Sequence, residues 1–290
     1  MYRFIIIKKR TVILCMTLVF ALLASTIYIS AASSEEENDT PKVSLPIVMY
    51  HSVLKNKGSA GKYVVSPQTI EQDLKYLKDN GYTSILSGEL IDYVKNGVPL
   101  PEKPVMITLD DGYLNNLTYV LPLLEKYDMR AVISVVGKYT ERFSEEEDHN
   151  PNYSHFSWND IKTCVDSGRI EIGNHTYNMH SQGERRGAMK KRSESIEEYE
   201  KILSEDVLRT QNLLEQNCGV VPKIFTYPYG AVSDASVEII KKLGFELSLG
   251  CCEKVNEISQ SEDSLYLLCR FNRPSFISTE EFMKKIEKDR

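Results

Sequence analysis

Val105-Met106-Ile107-Thr108-Leu109-Asp110-Asp111-Gly112 runs apolar and β-branched, then stops on two carboxylates and a glycine. The run has the composition of a buried strand, and Asp with Gly suits the tight turn that ends one. The same arrangement recurs along the chain. Residues 47–50 lead into His51, residues 170–172 into His175-Thr176-Tyr177-Asn178-Met179-His180, and residues 224–227 into Pro228-Tyr229-Gly230. Further strand candidates are 83–86, 131–136, 246–249 and 267–271. Between the strands lie amphipathic stretches. Ser66-Pro67 is an N-cap followed by proline, with Ile70, Leu74 and Leu77 on one face. Ile196, Tyr199, Leu203 and Val207 mark a long helix, and Ser278-Thr279-Glu280-Glu281 opens the last one. Roughly eight strands alternating with helices imply a parallel sheet, open or closed into a barrel. The barrel is favoured, because His51, Asp110, Asp111, His175 and Tyr229 fall at or just past strand C-terminal ends, where barrel enzymes build their sites.

The N-terminus reads as a targeting segment. Lys8, Lys9 and Arg10 precede an uncharged run from Thr11 to Ser30, and Ser30-Ala31-Ala32 offers small residues for cleavage. Residues 1–32 are therefore expected to be a signal peptide or a membrane anchor, with the rest of the chain outside the membrane. Residues 33–44, acidic and polar, read as a linker, and 45–290 as one domain. The targeting segment holds four of the 35 basic residues and none of the 41 acidic ones, so the remainder carries 31 basic against 41 acidic side chains, a formal charge of −10. Such a balance argues against nucleic acid as a partner. Cys164, Cys218, Cys251, Cys252 and Cys269 are odd in number and show no CxxC spacing, so they give no disulfide framework and read as small buried residues rather than ligands. Acidic 141–148 and basic 185–192 read as solvated loops, the basic one with the alternative of touching an anionic polymer.

Two carboxylates and two imidazoles suit a divalent ion of the zinc type, with one carboxylate left over as a base. Alone, Asp110-Asp111-Gly112 reads equally as a turn, and a five-residue histidine spacing needs a bent loop rather than one helical turn. The combination with Pro228-Tyr229 is more specific. Residues 45–276 resemble the polysaccharide deacetylases of carbohydrate esterase family 4, the NodB homology domain. The first motif of that family, Thr-Phe-Asp-Asp-Gly, is matched by 108–112 with Leu109 in place of Phe. The five-residue spacing of His175 and His180 resembles the subgroup of poly-N-acetylglucosamine deacetylases, and 158–175 has the look of the family, a Trp-led helix and then a strand.

The resemblance implies a distorted (β/α) barrel of about seven or eight parallel strands. It implies Asp110 as general base, a divalent metal on Asp111, His175 and His180, and the Tyr229 backbone N–H facing the oxyanion. Zinc is the first expectation, with iron, cobalt or nickel also suited to that ligand set. Two positions depart from the family. An arginine that orients the catalytic aspartate is replaced near Lys223; Arg270 is the candidate substitute, with a structural salt bridge as the alternative. No histidine follows His180, so the general acid falls to His51, on the first strand, as in a circular permutation, and is expected on the side of the metal opposite Asp110. Trp158 is a further substrate candidate. The implied activity is removal of N-acetyl groups from a polymer of N-acetylglucosamine by an exported monomer. Competing readings are a non-catalytic glycan-binding module and another metal hydrolase such as a phosphoesterase.

Overall fold

The computed structural model describes residues 42–146 and 148–288; the targeting segment and nearly all of the linker read above lie outside the described residues. In chain order the strands are β1 (Val43–Leu45), β2 (Ile47–Tyr50), β3 (Ser52–Val53), β4 (Val64–Val65), β5 (Thr83–Ser84), β6 (Pro104–Leu109), β7 (Ala131–Val135), β8 (Ile170–Asn174), β9 (Ile224–Thr226), β10 (Leu247–Leu249), β11 (Asn256–Ile258) and β12 (Phe271–Asn272). The helices are α1 (Pro67–Asp79), α2 (Ser87–Asn96), α3 (Leu121–Tyr127), α4 (Gly137–Glu145), α5 (Trp158–Asp166), α6 (Ile196–Cys218), α7 (Asp234–Lys242) and α8 (Thr279–Lys288).

Seven parallel strands in the order β10-β9-β8-β7-β6-β2-β12 form a curled sheet, with β5 paired to β6. Its two ends approach through a single parallel bridge, Leu249 to Leu268, where Gly250 N–H donates to the Leu268 carbonyl at 2.8 Å. The result is the distorted (β/α) barrel expected from the alternation of strands and helices. Every residue of β6 is buried, as befits a central parallel strand covered on both faces. Val48, Ile107, Ile133 and Ile172 pack in one core with α1, α3, α5 and α8. Ile47, Met106 and Val132 belong to a second core with Leu90, Ile91 and Val94 of α2. Because side chains alternate, Asp110 lies on the same face as Met106 and Thr108, and His51 on the same face as Met49, which pairs with Thr108. The register thus delivers both side chains to one mouth.

Helix boundaries follow local chemistry. The Ser66 hydroxyl accepts from Thr69 N–H at the start of α1. At α6 a capping box joins Ser195 and Glu198, and Gly219 ends the helix in the left-handed region at φ 67°.

Four expectations change. Val43 and Ser44, read as linker, pair antiparallel with Ile258 and Glu257 in β1–β11. Residues 267–271, read as a strand, supply β12 only from Phe271, preceded by the isolated bridge. Residues 141–145 of the acidic stretch belong to α4, where Glu141 accepts from the Tyr177 hydroxyl and lies 3.2 Å from Arg209. Cys252 and Cys269 form a disulfide across a sequence separation of 17, which their spacing did not suggest; Cys164 is a buried free thiol, and Cys218 and Cys251 are half-buried.

Candidate active site

Three loops leave the ends of β6, β8 and β9, and each turns through a left-handed residue that is not glycine: Asp111 at φ 73°, Thr176 at 71° and Tyr229 at 58°. Each such conformation costs of order 1–3 kcal/mol and persists where the surroundings impose it, commonly at functional sites. After Asp111 comes Gly112, also left-handed, where an added Cβ would meet Val135 Cγ1 at 2.8 Å. Glycine is required there by both conformation and space.

The turns bring Asp111, His175 and His180 together, one ligand atom from each lying within 4.8 Å of the others. His175 Nδ1 is 2.8 Å from the Thr226 carbonyl and donates to it, so its Nε2 carries the lone pair and faces Asp111 Oδ1 at 3.6 Å. His180 Nδ1 contacts the Tyr229 hydroxyl at 3.2 Å, and its Nε2 lies 3.0 Å from the same Asp111 oxygen. That oxygen is buried and has no hydrogen-bond partner. Two imidazole nitrogens converging on one buried carboxylate oxygen fit a divalent cation, and the fixed His175 tautomer is the outer support such ligands have. Burial pushes His175 down to about 4, although Asp110 pulls the other way, so it is neutral. Burial lowers His180 as well, but Asp111 more than offsets this and leaves it raised.

Asp110 stands apart from the triad and is held by Arg270. Nη1 donates to Oδ1 at 2.7 Å and Nη2 to Oδ2 at 2.9 Å, while the guanidinium is wholly buried. Burial raises the Asp110 carboxyl, but the Arg270 guanidinium outweighs it and holds the group below the usual carboxylate range. Arg270 is itself fixed: Nε donates to the Gly250 carbonyl at 2.8 Å, its N–H to the Cys252 carbonyl, and the disulfide half Cys269 precedes it.

His51 Nε2 lies 3.9 Å from Asp110 Oδ2. It was expected on the side opposite Asp110; it is instead beside it, since β2 and β6 are neighbours and the two residues follow the paired Tyr50 and Leu109. Two buried asparagines secure that segment. Asn116 Nδ2 donates to the His51 carbonyl at 2.9 Å, and Asn115 Oδ1 accepts from Val53 N–H at 2.8 Å. They stand at the head of a π-helical turn, Asn116–Val120, a distortion often found near functional sites.

His51, Asp110, Asp111, His175, His180 and Tyr229 all line one cleft of about 640 Å³. Trp158 does not. It begins α5 just after the capping box of Ser157 and Asp160, packs half-buried against the core and lines a separate depression with Phe143, His149 and Lys162. Sequence reasoning did not single out Tyr63, Arg186 or Glu253, which line the cleft too. Tyr63 is 48 % exposed and packs its ring 4.7 Å from that of His51, and a large exposed aromatic is itself the signal. Arg186 comes from the basic stretch read as solvated. The stretch folds over the site, where Gly187 would place a Cβ 2.5 Å from the Pro228 carbonyl oxygen.

A curled parallel sheet bearing one buried Asp-His-His cluster and a separate arginine-held carboxylate defines the class, a (β/α) barrel whose mouth carries a triad able to hold a metal ion. Residues 97–248 match the family model for polysaccharide deacetylase, and the chain belongs to that family. It is 25% identical over 269 residues to the poly-beta-1,6-N-acetyl-D-glucosamine N-deacetylase of Escherichia coli K12, covering 86% of this chain and 39% of that one. The enzyme of the same name from Staphylococcus aureus MRSA252 is 27% identical over 192 residues, 66% of this chain and 62% of that one. The chain thus spans about two fifths and three fifths of the lengths of these relatives. Among solved structures, IcaB from Ammonifex degensii superposes with a TM-score of 0.67 at 26% identity, covering 84% of this chain and 96% of that one. A de-N-acetylase from Aggregatibacter actinomycetemcomitans gives 0.71 at 23%, covering 84% and 100%, a likeness of fold.

Proposed function

We propose that this chain hydrolyses the acetamide of N-acetylglucosamine units in a polysaccharide, with water attacking the carbonyl carbon, the C–N bond breaking, and acetate and a glucosamine unit leaving. The observation that carries this reading is the division of labour between adjacent aspartates. Asp111 faces two imidazoles with an orphaned oxygen, whereas Asp110 is clamped by Arg270 and kept ionised.

Asp111, His175 and His180 would hold the divalent ion, zinc by ligand type or iron, cobalt or nickel. When bound, such an ion supplies Lewis acidity to the acetamide carbonyl and makes water a better nucleophile. Asp110 accepts the proton of the attacking water, and Arg270 fixes the orientation of its carboxylate. The Tyr229 N–H, presented by its left-handed turn, donates to the oxyanion. His51 protonates the departing amine, which is otherwise a poor leaving group. Tyr63, exposed beside His51, offers apolar ring surface to the neighbouring pyranose.

The names of the relatives support a β-1,6-linked N-acetylglucosamine polymer as substrate. We read residues 1–32 as a signal peptide or anchor that takes the domain outside the membrane, and the chain as a monomer. Acetate release from a panel of poly-β-1,6-N-acetylglucosamine, peptidoglycan and chitin oligomers tests the assignment. The β-1,6-linked polymer is expected to be the best substrate, and release from none of them would overturn it.

A further inference from the structure

Histidines five residues apart have no regular helix or strand to fix their separation, so something else must hold the loop between them. In this chain it is held by α6. Asp206 Oδ1 accepts from Tyr177 N–H at 2.7 Å and Oδ2 from Asn178 N–H at 3.0 Å. Asn174 Nδ2 donates to the Val207 carbonyl and to Gln211 Oε1, both at 3.1 Å, while its Oδ1 accepts from Thr176 N–H at 2.9 Å. Arg209 stacks its guanidinium 3.7 Å above the centroid of the Tyr177 ring. From the other side, Gly137 and Lys138 N–H groups donate to the Thr176 and Tyr177 carbonyls.

We propose that Asp206 is the positioning residue that sets His180 against His175 for metal binding. The proposal rests on reading Asp111, His175 and His180 as the metal site. A doubly accepting carboxylate makes charge-assisted hydrogen bonds to successive amides, which are stronger than neutral ones and fix the backbone just after the left-handed Thr176. From Asn178 only Met179 separates the anchored backbone from His180, so the reach of that imidazole is set by the turn Asp206 imposes. Asp206 does not touch the ligands themselves; its effect passes through the loop.

The test separates positioning from stability. Zinc dissociation constants are measured by competition with a chromophoric chelator for the purified full chain, alongside thermal unfolding of the metal-free forms. Asp206→Ala is expected to weaken zinc binding roughly 10- to 100-fold, the usual effect of losing an outer support. Asp206→Asn, which keeps one acceptor, should fall between it and wild type. Leu203→Ala removes buried volume from the same helix and should lower the unfolding temperature at least as far while leaving zinc affinity within about twofold. Wild-type zinc affinity in Asp206→Ala, or equal weakening by Leu203→Ala, would overturn the proposal and leave the metal site standing. If Asp206→Ala fails to fold, unchanged affinity in Asp206→Asn overturns it. A wild-type chain that binds no zinc removes the metal site and this proposal together.

Discussion

Arg270 closes a two-pronged ion pair on Asp110, at 2.7 and 2.9 Å, with both groups buried. The pair joins the segment before β12 to the end of β6 and fixes by the same contact the carboxylate proposed as the base. Removing the guanidinium leaves Asp110 buried and unpaired. Arg270→Ala is expected to lose about 3–5 kcal/mol of stability, read by denaturant unfolding. Arg270→Lys should not restore activity, because an ammonium cannot make the planar double contact. Full deacetylase turnover by the lysine variant would show that orientation of Asp110 is not needed.

The two adjacent aspartates should separate in their effects. Asp110→Asn is expected to retain its metal and to lose at least ~10² in rate, since proton acceptance is removed and the ion pair with Arg270 is weakened. His180→Ala should lose metal and activity together. Elemental analysis of both variants checks this, and loss of metal from Asp110→Asn would exchange the roles assigned to Asp110 and Asp111.

His51→Ala should keep its fold and metal and slow acetamide hydrolysis by roughly 10²–10⁴-fold, the range for a lost general acid. An aryl acetate has a leaving group that needs less protonation, so its hydrolysis should slow less. Equal losses on both substrates would place His51 in binding or structure rather than in proton donation.

The disulfide of Cys252 and Cys269 closes a loop of 17 residues and ends beside Arg270. Its loss should cost about 3 kcal/mol through the entropy of the unfolded chain. Thermal unfolding with and without reductant measures this. The same treatment should lower activity, because the segment carrying Arg270 loses its tie; unchanged turnover after reduction would separate the disulfide from the site.

Glu171 in β8 gives a pH-dependent test away from the cleft. Burial raises its carboxyl, with the hydrogen bonds from Ser87 opposing. A raised carboxyl contributes stability that is complete below the unfolded value and is lost as pH rises through the folded one. Glu171→Gln cannot ionise and so escapes that loss. Its unfolding temperature relative to wild type should rise as pH climbs above the ordinary glutamate value, and a difference independent of pH would contradict the assignment.

The residues legible in the sequence were those at strand ends, since a buried run that stops on polar groups fixes both the strand and the mouth it points to. Asp110, Asp111, His175 and His180 were readable for that reason, and so was His51, although its side relative to Asp110 depended on β2 and β6 being neighbours. Arg270 could be named as the candidate partner of Asp110 only through the resemblance, with a structural salt bridge as the alternative. Its contact with Asp110 depends on β12 pairing beside β2, next to β6, and β12 is a two-residue strand with little pattern of its own. Trp158 looked functional from its motif, yet it packs half-buried against the core and lines a depression other than the cleft. Cys252 and Cys269 were masked by an odd cysteine count, and Asp206 by lying among other acidic residues on a long helix, where only the folded loop reveals its partners.

The most direct test of the central claim is free acetate released from a β-1,6-linked N-acetylglucosamine oligomer by the purified chain, before and after removal of divalent metal by chelation. Acetate release in the untreated protein, its abolition by chelation and its return on adding zinc, cobalt or nickel are the predicted results. Undiminished release from metal-free protein, or none from metal-loaded protein, would contradict the account.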